Sequence, residues 1–503
     1  MSFGKMGNVG VSVRLRRYWR SQRSVMPILM LGILLVLGWG KMGLAANSTL
    51  DTITITVDNV SIGKSTQYIG ACEGNVNFEG TDLADLGINT YRIYGGMSRW
   101  ESEDDDGRYG WPTIAQIKRN PDIVPWERWD AVMMHPKTGT DYAFSGIPAT
   151  LWQGSAETIF RTLQQGQIRP VLTIRSTDPD RNPDWAWPLN PPLTEDDWNE
   201  WWEHVFATVY WLNVRHNYQV DDFEIANEPD NRQQGWDGTQ GDYFTLLQVA
   251  YDAIAYVYAT YLPDRNFYIH APTTTGGSSW PRATLETVPT YFNSVNIHDY
   301  SWNVADYVRQ VRSWMQGTIH AQSALWLGEW GNYTGLYDDL TFSLNLIKNM
   351  IRMSQPGNTY VYGSHLFSLY DWGLGDGFEG LINAQGDHRL SYYAFRMGIR
   401  ALQGGRSVLN TTSSTPAITA IATQDWDGTL SLLFVNDRLE GRQISLDVSQ
   451  ILNRGSGTVW EFSTAAQDQV VANLSVEDGV VMLELPGRAS RLIALSPGSQ
   501  RQN

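Results

Sequence analysis

The run Phe223-Glu224-Ile225-Ala226-Asn227-Glu228-Pro229-Asp230-Asn231 decides how the rest of the chain is read. A short apolar segment climbs into an Asn-Glu pair and is stopped by proline, the pattern of a buried strand whose last residues spill into a loop. An acid then stands at the mouth of the strand. Desolvating a carboxylate is costly, so a glutamate in such a place is either paired or at work. A second run, Leu325-Trp326-Leu327-Gly328-Glu329-Trp330-Gly331, has the same layout, with its glutamate 101 residues after the first. That interval holds several strand–helix units. Two strand-end glutamates can face one cleft only if their strands are parallel and share an end, and in a parallel α/β barrel that end is the C-terminal face, where active sites sit.

Working outward, eight strands are expected over residues 67–73, 90–94, 170–175, 223–228, 267–272, 294–300, 323–329 and 362–372. Helical patterns separate them. The clearest covers 195–216, where Thr194 and Asp197 form a capping-box signature and Trp198, Trp202, Val205, Val209 and Leu212 recur at helical spacing. Leu340, Leu344, Ile347 and Ile351 make another such stripe. Strand alternating with helix eight times predicts an α/β fold, a (β/α)8 TIM barrel over 67–402. After Leu402 the texture changes to short alternating strands broken at Asp427-Gly428, Glu440-Gly441, Gly455-Ser456-Gly457 and Asp478-Gly479, which predicts a C-terminal antiparallel β-sandwich over 403–503. The alternating stretch at 52–60, within a segment 47–66, is expected to join that sandwich and tie the two parts together.

Residues 1–46 stand apart, with seven basic residues and no acid, an apolar stretch from Val25 to Leu37, and a closing Leu44-Ala45-Ala46. That order predicts a secretion signal and an extracellular or cell-envelope location, with contact to a membrane only if the segment stays attached as an anchor. Without its seven basic residues the chain keeps 30 of 37, against 53 acidic ones, a net charge of −23. Nucleic acid is excluded as a natural partner for such a surface, whereas a neutral sugar meets no electrostatic penalty. The single cysteine, Cys72, allows no disulfide framework, and eight scattered histidines show no metal-ligand spacing.

Paired carboxylates across a sugar-sized cleft are what glycosidic bond cleavage requires, one to protonate the leaving oxygen and one ionised to attack the anomeric carbon. Asn227-Glu228-Pro229, His298-Asp299-Tyr300, Gly328-Glu329-Trp330-Gly331 and Asn89-Thr90-Tyr91-Arg92-Ile93, each at a strand end, resemble the motif set of the clan A retaining glycoside hydrolases. The cellulase and mannanase branch is similar by motif, and the β-xylosidase branch by its barrel with an attached sandwich. The resemblance implies a retaining β-glycoside hydrolase acting by double displacement on a β-linked polysaccharide or oligosaccharide, with no cofactor and no catalytic metal. It implies Glu228 as acid/base, Glu329 as nucleophile, and Arg92 and Tyr300 as the donors that keep Glu329 ionised. Asn227 would hold the sugar 2-hydroxyl and His298 another hydroxyl, with Trp330 and Trp372 as further substrate contacts.

Other readings stand beside these. Strand-end glutamates also serve as structural ion-pair partners, and a barrel without turnover would be a carbohydrate-binding or scaffold protein. The tryptophans of the 195–216 helix fit core packing. Trp100, Trp111, Trp185 and Trp187 fall in the two long connections, 95–155 and 176–193, and are candidate sugar platforms. The acidic run at 103–106 lacks spaced metal ligands and reads as a solvated loop. After the third barrel strand, where the cellulase branch has a histidine, this chain has Ile174-Arg175-Ser176-Thr177. Asp299 and Asp371 are acids that the motifs do not require.

Overall fold

After an initial strand, β1 (Thr52–Lys64), eight apolar runs form a closed parallel barrel. They are β2 (Tyr68–Cys72), β3 (Thr90–Gly96), β4 (Arg169–Arg175), β5 (Asp222–Ile225), β6 (Tyr268–Thr274), β7 (Ser294–Asp299), β8 (Leu325–Gly331) and β9 (Gly363–Phe367). Each pairs with the next in chain order, and β9 closes on β2. This computed structural model describes residues 51–72, 80–101, 112–134, 155–176, 191–234, 236–331, 336–371, 380–383 and 385–497. The expected leader at 1–46, the acidic run at 103–106, and Trp111, Trp185, Trp187 and Trp372 lie outside the described residues. Among those described, no helix is long and apolar enough to cross a membrane.

Two strands stop three or more residues short of expectation. β5 stops at Ile225, because Ala226 and Glu228 take left-handed backbone, with φ of 64° and 45°, and lift the chain off the sheet. Asn227 and Glu228 therefore stand on a loop above the strand. β9 stops at Phe367, because the following residues turn to a new partner: Ser368 and Leu369 carbonyls accept from Leu381 and Ile382, and the Asp371 N–H donates to Ile382.

The helix Glu195–Tyr210 starts on the expected Thr194/Asp197 capping box and runs on through one π-helical turn, Trp211–Arg215. Trp202, Val205, Val209 and Leu212 of the expected stripe are buried in the apolar layer and Trp198 is half-buried; Trp201, off that stripe, is buried as well. Inside, the barrel is polar to an unusual degree for a fold normally filled by branched aliphatics. Asp222 bridges Arg169 and His270, and Thr90 bonds His365 at 3.0 Å. Trp326 lies stacked over Tyr68 and His365 in the same interior. Gly363 makes room for that indole, since a Cβ there would sit 2.2 Å from the ring.

The remaining strands, β10 (Ser407–Ser413), β11 (Ile418–Gln424), β12 (Leu430–Asn436), β13 (Arg442–Asp447), β14 (Gly455–Phe462), β15 (Gln467–Val476), β16 (Val480–Leu485) and β17 (Ala489–Pro497), join β1 in one continuous sheet. Its order is β15-β14-β17-β12-β11-β10-β1-β13-β16, antiparallel except where β1 meets β13. The sheet folds over an apolar core that takes Ile55 and Val57 from β1, Phe434 from β12, Leu446 from β13 and Ile493 from β17, which makes the sandwich. Gly455-Ser456-Gly457 proves to be the start of β14 rather than a break, its glycines admitting the close approach of Ser496 and Leu495.

Strand β12 is buried along its whole length because both faces are covered. Leu432 and Phe434 face the sandwich core, while Leu433 and Val435 belong to the barrel's own apolar layer. On that side Arg396 and Arg400 of helix Leu390–Leu402 grip the buried Asp468 of β15 at 2.7 and 2.6 Å. The described residues accordingly form one compact unit.

Candidate active site

Four strand ends on one rim of the barrel deliver the site. Arg92 and Tyr94 stand two apart on β3 and so share its inward face. Asn227 and Glu228 come from the loop after β5, His298 and Tyr300 from the end of β7, and Glu329 from β8. Glu224, on β5 itself, lies beneath them.

Arg92 is fully buried and organises the floor. Its Nε donates to Glu224 Oε2 at 2.6 Å, its Nη1 to Glu329 Oε1 at 2.7 Å and its Nη2 to Asn227 Oδ1 at 2.9 Å. Glu224 also accepts from Thr173 Oγ1 at 2.7 Å and from the Asn296 amide. Asn296 has space because the facing residue is Gly328, whose N–H it accepts at 2.8 Å. Two carboxylates thus share one guanidinium, the planar fork that suits such recognition.

Glu329 receives four donors. Arg92 and the Tyr94 hydroxyl reach Oε1, and the Tyr300 hydroxyl reaches Oε2 at 2.7 Å, with His298 Nδ1 at 3.4 Å. Burial by itself would push this carboxyl up; the charges of His298 and Arg92 and the two tyrosine hydroxyls outweigh it and hold the group at about 2. Glu329 is therefore a carboxylate at any ordinary pH.

Glu228 is placed differently. Its Oε1 accepts from His298 Nδ1 at 2.9 Å and its Oε2 from Asn231 Nδ2 at 2.9 Å. Its left-handed backbone costs on the order of 1–3 kcal/mol for a residue with a side chain. The geometry is held from both sides, by the Glu228 N–H donating to Thr273 O at 3.0 Å and the Asn231 N–H donating to Glu228 O at 2.8 Å. Carboxylate oxygens of Glu228 and Glu329 and a ring nitrogen of His298 all fall within 4.8 Å of one another. A metal ion would accept that spacing, but it would have to displace the Arg92 charge already seated on Glu329 and the proton between His298 and Glu228. The donor set fits a pair of carboxylic groups better than a cation site.

No protein-family model and no curated protein matches the chain. Solved structures do. A glucosidase from Croceicoccus marinus superposes with a TM-score of 0.64 at 13% identity, over 90% of this chain and 100% of its own. A monomeric β-xylosidase from Caulobacter crescentus CB15 gives 0.62 at 15% identity, over 88% and 99%. A family 39 glycoside hydrolase from Xanthomonas axonopodis pv. citri gives 0.60 at 14% identity, over 91% and 100%. The fold is that of glycoside hydrolases.

Within this glycoside-hydrolase fold, the sequence-predicted residues Glu228, Glu329, Arg92, Tyr300, Asn227 and His298 come together, and two expected roles change. His298 was expected to meet a sugar hydroxyl. It is instead wholly buried behind the two carboxylates, with Nδ1 committed to them. Burial disfavours its charged form, yet Glu329 and the bond to Glu228 raise it above the usual imidazole value.

Trp330 was expected to contact substrate. Trp326 and Gly328 point into the barrel, so strict alternation would turn Trp330 inward as well, but an irregularity in the β8–β9 register between Leu327 and Trp330 reverses it. Glu329 faces the site, and Trp330 packs in the outer apolar layer against Phe395.

Trp100 is likewise a packing residue, its indole filling the space a Gly95 side chain would take. Asp371 is tied to Arg389, and Asp299 accepts from Ser301. Arg175, where the cellulase branch has histidine, lies 5.2 Å over the Tyr94 ring and donates to Gln234 O at 3.0 Å. The residues missed by sequence reasoning are Tyr94, Glu224 and Asn231. Tyr94 and Glu224 were visible as inward positions at period two from Arg92 and Asp222, and Asn231 as the third residue after Glu228.

Proposed function

We propose that the protein is a secreted retaining β-glycoside hydrolase that cleaves a β-linked polysaccharide or oligosaccharide by double displacement, with neither cofactor nor catalytic metal. The observation that carries the reading is the carboxylate pair. Separations of about 5–5.5 Å suit direct attack, against about 6.5–9.5 Å where a water must fit between. One oxygen of Glu228 and one of Glu329 lie within 4.8 Å of each other, which supports the former.

In the first step a Glu329 oxygen forms a bond to the anomeric carbon as the bond to the leaving oxygen breaks, and Glu228 supplies that oxygen with its proton. In the second, water attacks the same carbon, gives a proton to Glu228 and releases Glu329. Two inversions restore the starting configuration. The fixed donors around Glu329 lower its nucleophilicity but also stabilise it as the leaving group of the second step. Asn227 has its oxygen committed to Arg92 and Tyr94, which leaves its amide nitrogen as the group that would donate to the 2-hydroxyl. The named neighbours include a glucosidase, β-xylosidases and xylanases, which supports β-linked glucose and xylose as the first sugars to assay.

The test is incubation with activated 2-deoxy-2-fluoro glycosides of glucose, xylose and mannose, followed by mass spectrometry of the digest. The expected label is one fluorosugar on the peptide that carries Glu329, absent in Glu329→Gln. A label on another carboxylate would overturn the assignment. Glycan binding without label or reducing-sugar release across the panel would favour a binding protein.

A further inference from the structure

Glu228 opens on one side into a cleft of about 860 Å3 between the loops that follow β6 and β7. Thr275, Gly276 and Gly277 line it from one loop and Asp299–Asn303 from the other, with Gln310 also in the lining. Trp302 is the feature that the chemistry described so far does not use. It lines this cleft with half its surface exposed, whereas most large aromatics among the described residues of the barrel are buried or half-buried.

Trp302 is also held in place. Its carbonyl accepts from Asn345 Nδ2 at 2.8 Å and from Asn349 Nδ2 at 3.3 Å, two largely buried amides on helix Leu340–Ser354. The preceding turn is fixed by Asp299, which accepts from the Ser301 N–H and hydroxyl at 2.9 Å each. Beside it, Asn303 Oδ1 is buried with no hydrogen-bond partner. Across the cleft, Gly277 has left-handed backbone and nothing within 4 Å of where a side chain would begin, so that wall is bare peptide. An exposed ring on an anchored backbone, facing open peptide and contiguous with a carboxylate, matches a flat hydroxylated ligand that stacks by its apolar face and hydrogen-bonds by its rim.

We infer that this cleft is a subsite for the sugar on the leaving-group side of the bond, with Trp302 as its platform, so that the substrate is a chain extending past the cleaved bond. The inference rests on the glycosidase reading, because it is Glu228, as proton donor to the leaving oxygen, that defines which side is which. Occupation of the cleft brings a leaving group that is a poor one chemically under the proton donor, so its binding energy acts on the step that needs Glu228 most.

The experiment compares Trp302→Ala and Trp302→Phe with wild type on two substrates, an aryl glycoside, whose leaving group is not a sugar, and the matching β-linked tetrasaccharide. The expected result is a fall of about tenfold or more in the ratio of kcat/KM for tetrasaccharide to kcat/KM for aryl glycoside in Trp302→Ala, equivalent to roughly 1.4 kcal/mol, with substantial recovery in Trp302→Phe. Transfer of the glycosyl group to an added sugar acceptor should fall in parallel. An unchanged ratio in a variant that melts with wild type overturns the subsite. Failure of wild type to turn over either substrate or to take a fluorosugar label refutes the glycosidase reading instead, which keeps the two outcomes apart.

Discussion

Replacing Tyr300 by phenylalanine removes a single atom from the site and tests the account of Glu329 directly. The hydroxyl donates to Glu329 Oε2 at 2.7 Å. A hydrogen bond to a charged group is worth about 1.5–3 kcal/mol, which corresponds to about one to two pH units in the acceptor's titration. Glu329 would therefore move from about 2 in the wild type back toward its ordinary 4.5, settling at roughly 3–4. The nucleophile works as carboxylate, so activity is lost as pH falls through this value, and the acid limb of kcat/KM should shift upward by about one to two units.

The assay is initial rate against an aryl glycoside from neutral pH down to about 3, with the rate of fluorosugar labelling as an independent measure of the first step. Stability follows the same group. A carboxyl held below its unfolded value contributes stability that is complete above that value and is lost as pH falls through the folded one. For Glu329, depressed from 4.5 to about 2, the contribution is about 3 kcal/mol, present at neutral pH and disappearing below about pH 4.5. The variant should lose about 1.5–3 kcal/mol of it and so unfold at a higher pH than wild type on acidification. An acid limb that stays where it is, in a variant with full thermal stability at neutral pH, would show that the Tyr300 hydroxyl does not set the charge on Glu329.

Two further outcomes are expected. Glu228→Ala should lower kcat/KM about 10²–10⁴-fold for glycosides with basic leaving groups while sparing the first step for dinitrophenyl glycosides, as read by burst kinetics; an equal loss on both classes would remove Glu228 from the role of proton donor. Trp330→Ala should cost about 3–5 kcal/mol of stability in denaturant titration, because its indole fills the layer against Phe395, yet leave the ranking of sugars by kcat/KM unchanged. A changed ranking at undiminished stability would return Trp330 to the substrate.

Several features were legible in the residues because their causes are local. Apolar runs separated by capped amphipathic stretches produce a parallel barrel wherever eight of them follow one another, and Thr194 with Asp197 starts its helix by bonds spanning three residues. Glu228 and Glu329 were identifiable for a related reason, since an acid at the end of a greasy strand is too costly to be incidental. What was misjudged depended on partners remote in the chain. His298 looked like a hydroxyl contact until its neighbours, 70 and about 30 residues away, were seen to be the two carboxylates themselves. Trp330 followed its motif into the cleft until a slip in pairing with β9 turned it out.

By itself, then, the order of residues determined the barrel, the attached sandwich and the two acids, because periodicity and the expense of burying charge act within a few positions of the chain. Only tertiary structure decided that Arg92 serves Glu224, Asn227 and Glu329 at once, that Glu329 collects enough donors to stay ionised, and that Trp302 and Glu228 line one cleft. Electrostatics and side-chain direction are properties of neighbours in space, and a single irregular pair of strands is enough to exchange which of two adjacent residues faces the cleft.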